Sequence, residues 1–216
     1  MRGKTYQNCC LAGMVLLGLA YTASATPVLT GVSLGTAAPP GTLGGYSVTG
    51  FGADASPVNS FVSSVSSGGV TVSFGNTVRH DVIGNSWATW SHGYAGSVYD
   101  TASANDPQNL TLSLSANVAA LYFYVEPVNF SVFSFTATAQ DGTTLTENIN
   151  GNAGASGFGF YASAGNSITS ITISGGDLDG FAVGEFGAAV SLSSVPDSGN
   201  SLAYAALAFV GLLACR

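Results

Sequence analysis

The sequence predicts an all-β fold of the sandwich or barrel class. Three observations carry this. Between residues 27 and 193 apolar side chains recur with period two rather than 3.6. The apolar runs are short, roughly 8–12 residues apart, and separated by Gly, Asn, Asp and Ser. Charged residues make up only 7% of the chain, while 46% are hydrophobic and 11% aromatic. That is enough apolar material for a real core and too little charge for charge-driven disorder.

The elements follow in order. Residues 46–51 (YSVTGF), 58–65 (VNSFVSSV) and 69–74 (GVTVSF) read as weaker strands in a Ser/Gly-rich background. Residues 110–115 (LTLSLS) alternate cleanly. Residues 118–125 (VAALYFYV) are almost continuously apolar, as expected of a central strand buried on both faces. Residues 130–138 (FSVFSFTAT) begin in one phase and change at Val132-Phe133, which predicts a bulge. Strands over residues 143–149, 157–162, 167–173 and 181–190 complete a set of about ten. Asp141-Gly142 signals a hairpin turn and Gly175-Gly176 marks another.

The charge pattern excludes one large class of function. The basic residues are Arg2, Lys4, Arg79 and Arg216, so the body holds only Arg79 against ten Asp and Glu, and the net charge is −7. Nucleic-acid binding needs clustered Lys or Arg to neutralise phosphates, so no nucleic acid is expected as partner. Cys9, Cys10 and Cys215 all lie in the terminal segments, which leaves neither a disulfide framework nor a cysteine metal site in the body.

Both ends read as addresses. Arg2 and Lys4 precede an apolar run over residues 11–20, and Ala23-Ser24-Ala25 offers small residues for cleavage before Thr26-Pro27. This is the pattern of a secretory signal peptide; the alternative is an N-terminal membrane anchor. At the other end, Val195-Pro196-Asp197-Ser198-Gly199 precedes an apolar run over residues 202–215 and the single basic Arg216. Fourteen apolar residues are short for a span, which needs about 20, so the run reads as a short membrane helix or a buried one. Pro196 and Gly199 break regular structure and keep the motif extended.

These residues resemble the VPDSG variant of the PEP-CTERM sorting signal. The resemblance implies an exported protein of Gram-negative bacteria that build an extracellular matrix. It also implies processing of the tail by an exosortase-type protease, transient anchoring in the inner membrane, and delivery to the cell surface or matrix. A second resemblance covers residues 87–186. WATWSHGYAGSVYD, LYFYVEPVNF, TATAQDGTT, GFGFYASAGNSITSITI and DGFAVGEF are similar to a recurrent extracellular domain of PEP-CTERM proteins. It implies a jelly-roll-like β-sandwich, similar in shape to carbohydrate-binding modules, with no established activity. The expected organisation is a signal peptide (1–25), a β-sandwich (26–194) and a sorting tail with an apolar helix (195–216).

Residues 79–100 concentrate both histidines, both tryptophans, Arg79, Asp81, Tyr94 and Tyr99. One reading is a saccharide platform in which Trp87, Trp90 and Tyr94 stack on pyranose rings while His92 and its polar neighbours bind hydroxyls. Others are a metal site from His80, Asp81 and His92, His/Asp acid–base catalysis, or plain packing of the sandwich edge. Trp87 and Trp90 are three apart, so on a strand they would face opposite ways. Either the segment turns between them, or one ring enters the core and the other faces out. Asp177, Asp179 and Glu185 supply hard oxygen ligands for a structural calcium near a turn; the alternative is a hairpin turn that needs Gly and Asp. Glu126 with Asp141 or Glu147 is a remote carboxylate pair, and Pro127 beside it more simply ends a strand. Together these readings predict an exported, non-enzymatic surface or matrix protein with a structural or adhesive role. The alternatives are a carbohydrate-binding module for extracellular polysaccharide and, last, a secreted hydrolase.

Overall fold

The computed structural model describes residues 29–163 and 165–191. The signal peptide with Ala23 and Ala25, and the tail with residues 195–199 and its apolar helix, lie outside the described residues. Every element within them is a strand: β1 (Leu29–Gly35), β2 (Thr42–Leu43), β3 (Tyr46–Ser47), β4 (Thr49–Gly50), β5 (Phe61–Ser67), β6 (Val70–Val82), β7 (Ser97–Asp100), β8 (Asn109–Pro127), β9 (Val132–Ala139), β10 (Thr144–Asn150), β11 (Ser156–Ala162), β12 (Ile168–Gly175) and β13 (Phe181–Val190). No helix of the described residues is long and apolar enough to cross a membrane.

Strand β8 organises the fold. The runs 110–115 and 118–125 are one strand of 19 residues. Its first half pairs with β6 on one side and β12 on the other, Leu112 lying opposite Phe74 and Ile171. Its second half pairs with β11 and β13, Val125 lying opposite Ser156 and Val183. The change of partners falls at a register irregularity between Ser113 and Val118. Strands that pass between layers at such bends make the corners of sandwiches. Two curled rows result. One runs β5–β6–β8–β12–β9–β10; the other runs β6–β7–β13–β8–β11–β1.

The main core lies between the rows. Leu121, Phe123 and Val125 point into it with Leu110, Leu112, Phe135, Phe158 and Phe160. The intervening Ala120, Tyr122 and Tyr124 point the other way, into a second cluster with Leu43, Ala155 and Ala189, against which Tyr46 and Trp90 pack. The apolar run is therefore buried on both faces, and residues 118–126 are each at most 5% exposed. Short strands β2 to β4 and the loop over residues 83–96 provide the second cover.

Three features depart from the strand pattern. Strand β9 begins at Val132 and pairs with β10 without irregularity, so the phase change marks a strand start and not a bulge. Strand β6 runs on past the expected strand over residues 69–74, through Arg79, His80 and Asp81, and β7 pairs with it, where no strand was expected. Strand β1 adds an edge beside β11.

The two ends of the structure differ. Leu29 pairs with Ala162, Val190 pairs with Val118, and Ser191 N donates to Asn117 O (2.7 Å), so both limits of the described body gather at one end. At the other end Phe181 lies opposite Pro127, and Val128 N donates to Gly180 O (3.1 Å). The length of β13 separates the two ends by roughly 25 Å.

Candidate functional site

Residues 83–96 leave β6 and fold back over the outer face of β8 and β13. Ser86 N donates to Val82 O (3.0 Å) and Gly84 N to Trp87 O (2.8 Å), which turns the chain at once. The loop passes so close to Gly154 that a Cβ there would sit 2.6 Å from the Trp90 carbonyl carbon. Each indole N–H meets a carboxylate from the sheet beneath. Trp87 Nε1 donates to Glu126 Oε2 (3.0 Å), and Trp90 Nε1 donates to Glu185 Oε2 (2.9 Å). Thr89 donates its hydroxyl to the other Glu126 oxygen. The tryptophans lie off any named strand, between turns over residues 84–86 and 92–93, and both are half-buried, so neither of the two expected arrangements on a strand applies.

Glu185 reaches the loop because β13 bulges. Gly184 lies opposite Tyr124 and Gly187 opposite Tyr122, so Glu185 and Phe186 together face Phe123. The extra residue keeps both Val183 and Phe186 in the core while Glu185 points outward. Glu185 has φ 50° and His92 has φ 41°, left-handed values that non-glycine residues adopt only where their surroundings demand it. The demand is mutual: His92 Nε2 lies 2.7 Å from Glu185 Oε1 and 2.9 Å from Oε2. His92 Nδ1 lies 3.0 Å from Ser91 Oγ and 3.2 Å from Thr36 O. Tyr94 donates to Ser97 O (3.0 Å) and packs against Trp90 at 6.1 Å between ring centroids. Burial, helped by the Glu185 charge, pushes the Tyr94 phenol up to about 12. Trp90, His92 and Tyr94 therefore form one packed group around Glu185, and Trp87 belongs to a different feature.

That feature is a cleft of about 240 Å³ walled by Trp87, Thr89, Arg79, Asp100, Glu126 and Phe130. Phe130 is 58% exposed at its rim, whereas Glu126 and Asp100 are each 1% exposed. Arg79 Nε binds Asp81 Oδ2 (2.9 Å) and its Nη2 binds Asp100 Oδ2 (2.8 Å). Burial pushes the Glu126 carboxyl up to about 7, against the hydrogen bonds from Thr89 and Trp87, which lower it. Burial also raises Asp100, opposed by its bonds to Ala102 N–H and the Arg79 charge. Asp100 and Phe130 escaped the reading of the sequence. Only the strand character of SVYD, which sets Asp100 opposite Arg79, could have pointed to the first.

The remaining candidate sets are held apart. Asn129 Nδ2 donates to Asp177 Oδ1 (2.8 Å) and Asp179 Oδ2 (2.7 Å), and Asn129 N donates to Asp177 Oδ2 (2.8 Å). The pair thus clamps the loop after β8, while Glu185 is engaged by Trp90 and His92. His80 is buried against Tyr99, Asp81 holds Arg79, and His92 holds Glu185, so these three do not converge. Among the described residues no three His, Cys, Asp or Glu come together as a metal site. Asp141 accepts from Leu29 N (2.8 Å) at the opposite end of the fold, and Glu147 accepts from Ser156, so neither pairs with Glu126.

No family model matches the chain, and no curated protein matches it. Among solved structures the chain is similar to a family 11 carbohydrate-binding module from Clostridium thermocellum, in complex with a beta-1,3-1,4-mixed-linked tetrasaccharide. The identity is 11%, the TM-score 0.27, and the match covers 68% of this chain and 97% of that chain. A likeness of that order carries no argument about what this chain binds.

Proposed function

We propose that this chain is an exported surface or extracellular-matrix protein whose jelly-roll-like β-sandwich is a non-enzymatic adhesive module, and that it adheres to polysaccharide through the Trp87–Phe130 cleft. The observation that supports this reading is the pairing of aromatic walls with a fixed polar floor. Aromatic faces stack on the apolar faces of sugar rings. The carboxylates and the guanidinium are already held by protein hydrogen bonds, so hydroxyls meet preorganised partners. Both Asp100 oxygens accept N–H groups, from Ala102 and Arg79, and both Glu126 oxygens accept from the loop. That arrangement suits holding a shape better than hydrolysis, which needs a second free carboxylate. The VPDSG-type tail and the signal peptide account for export, exosortase processing and transient inner-membrane anchoring. Ser191 and the cleft lie at opposite ends of β13, so a body tethered through its tail presents the cleft outward.

Titration of the purified chain with a panel of polysaccharides, followed by tryptophan fluorescence, tests the adhesive reading. A saturable change with at least one polymer is expected; a flat response across the panel rejects it. Mass spectrometry of surface-extracted protein tests the sorting reading. A mature form ending near Gly199 is expected, and a mature form that keeps Arg216 rejects processing.

A further inference from the structure

We infer that the cleft takes a neutral saccharide and excludes polymers of acidic sugars; this rests on the adhesive reading above and names its ligand class. Among the described residues Arg79 is the one Lys or Arg. An acidic sugar would have to pair with it, yet Arg79 is already flanked by two carboxylates. Asp81 is 0% and Asp100 1% exposed, and both contact the guanidinium within 3 Å. These three groups sum to a net negative charge before Glu126, on the same wall, is counted. A uronate would therefore shed its hydration to meet a site of its own sign.

A neutral sugar faces no such penalty. Two of the five Arg79 N–H donors are engaged by the aspartates, which leaves others for hydroxyl oxygens. Trp87 and the exposed Phe130 supply faces that stack irrespective of charge.

The test is affinity electrophoresis of the full chain in gels carrying a neutral glucan or a polygalacturonate, each at low and high salt. Retardation by the neutral polymer, unchanged by salt, with none by the polygalacturonate, is expected. Phe130→Ala should weaken that retardation by between about twofold and tenfold with no change in melting temperature, since the ring is exposed. Equal or stronger retardation by polygalacturonate overturns the inference and leaves the adhesive reading standing. Neutral-glucan retardation that Phe130→Ala and Trp87→Phe both leave intact also overturns it, because the contact then lies elsewhere. Retardation by no polymer rejects the adhesive reading itself, and the inference with it.

Discussion

Replacing Glu126 by Gln should make the chain more stable in mild alkali and leave it nearly unchanged in mild acid. Glu126 is 1% exposed, and burial raises its carboxyl from 4.5 to about 7. Each tenfold change in acid strength corresponds to about 1.4 kcal/mol, so ionising this group in the folded chain costs about 3 kcal/mol. The folded-state value is raised, so proton binding favours the folded chain. That stability is fully present below about pH 4.5 and is lost as the pH rises through about 7. Gln is nearly isosteric and can keep both contacts: its oxygen accepts from Trp87 Nε1, and its amide donates to the Thr89 hydroxyl, which reverses its role. Urea denaturation of both proteins at about pH 5 and pH 8.5 reads the effect. The difference between variant and wild type should grow by about 2–3 kcal/mol in favour of Gln between those values. Other groups slope the opposite way: for Asp54 and Asp141, burial is outweighed by the hydrogen bonds they accept, which lowers both. Their contribution is common to the two proteins and cancels in the difference. A difference independent of pH, or a variant that is weaker at pH 8.5, would refute the reasoning.

Two further outcomes follow from the packing. Asn129→Asp turns a donor shared by Asp177 and Asp179 into a third carboxylate, and should cost about 2–4 kcal/mol in urea unfolding at neutral pH. Much of that cost should return on acidification, and a pH-independent loss would contradict the clamp. Gly187→Ala places a Cβ 2.2 Å from the Tyr122 ring, which is 5% exposed and has nowhere to move. It should cost about 1–3 kcal/mol, seen as a lower melting temperature; an unchanged value would mean that β13 shifts freely against β8.

The sequence alone determined the all-β class, the double burial of residues 118–125, and a surface poor in cations. These follow from local facts: the period of apolar residues reports which faces are dry, and the count of Lys and Arg reports charge. It did not show that residues 109–127 form one strand serving two rows, because a period-two pattern records faces and says nothing of which strand pairs with which. Nor did it divide Trp87 from Trp90. That division depends on Glu126 and Glu185, which lie 39 and 95 residues away from their tryptophans. Glu185 reaches Trp90 only through the bulge opposite Phe123, where two residues share the space of one. Strict alternation from Val183 would turn Glu185 inward and Phe186 outward, so the local phase break marks a bulge but says nothing of which partner the displaced carboxylate meets. Only the assembled sheet, which must keep both Val183 and Phe186 in one core, forces the extra residue out to meet the loop.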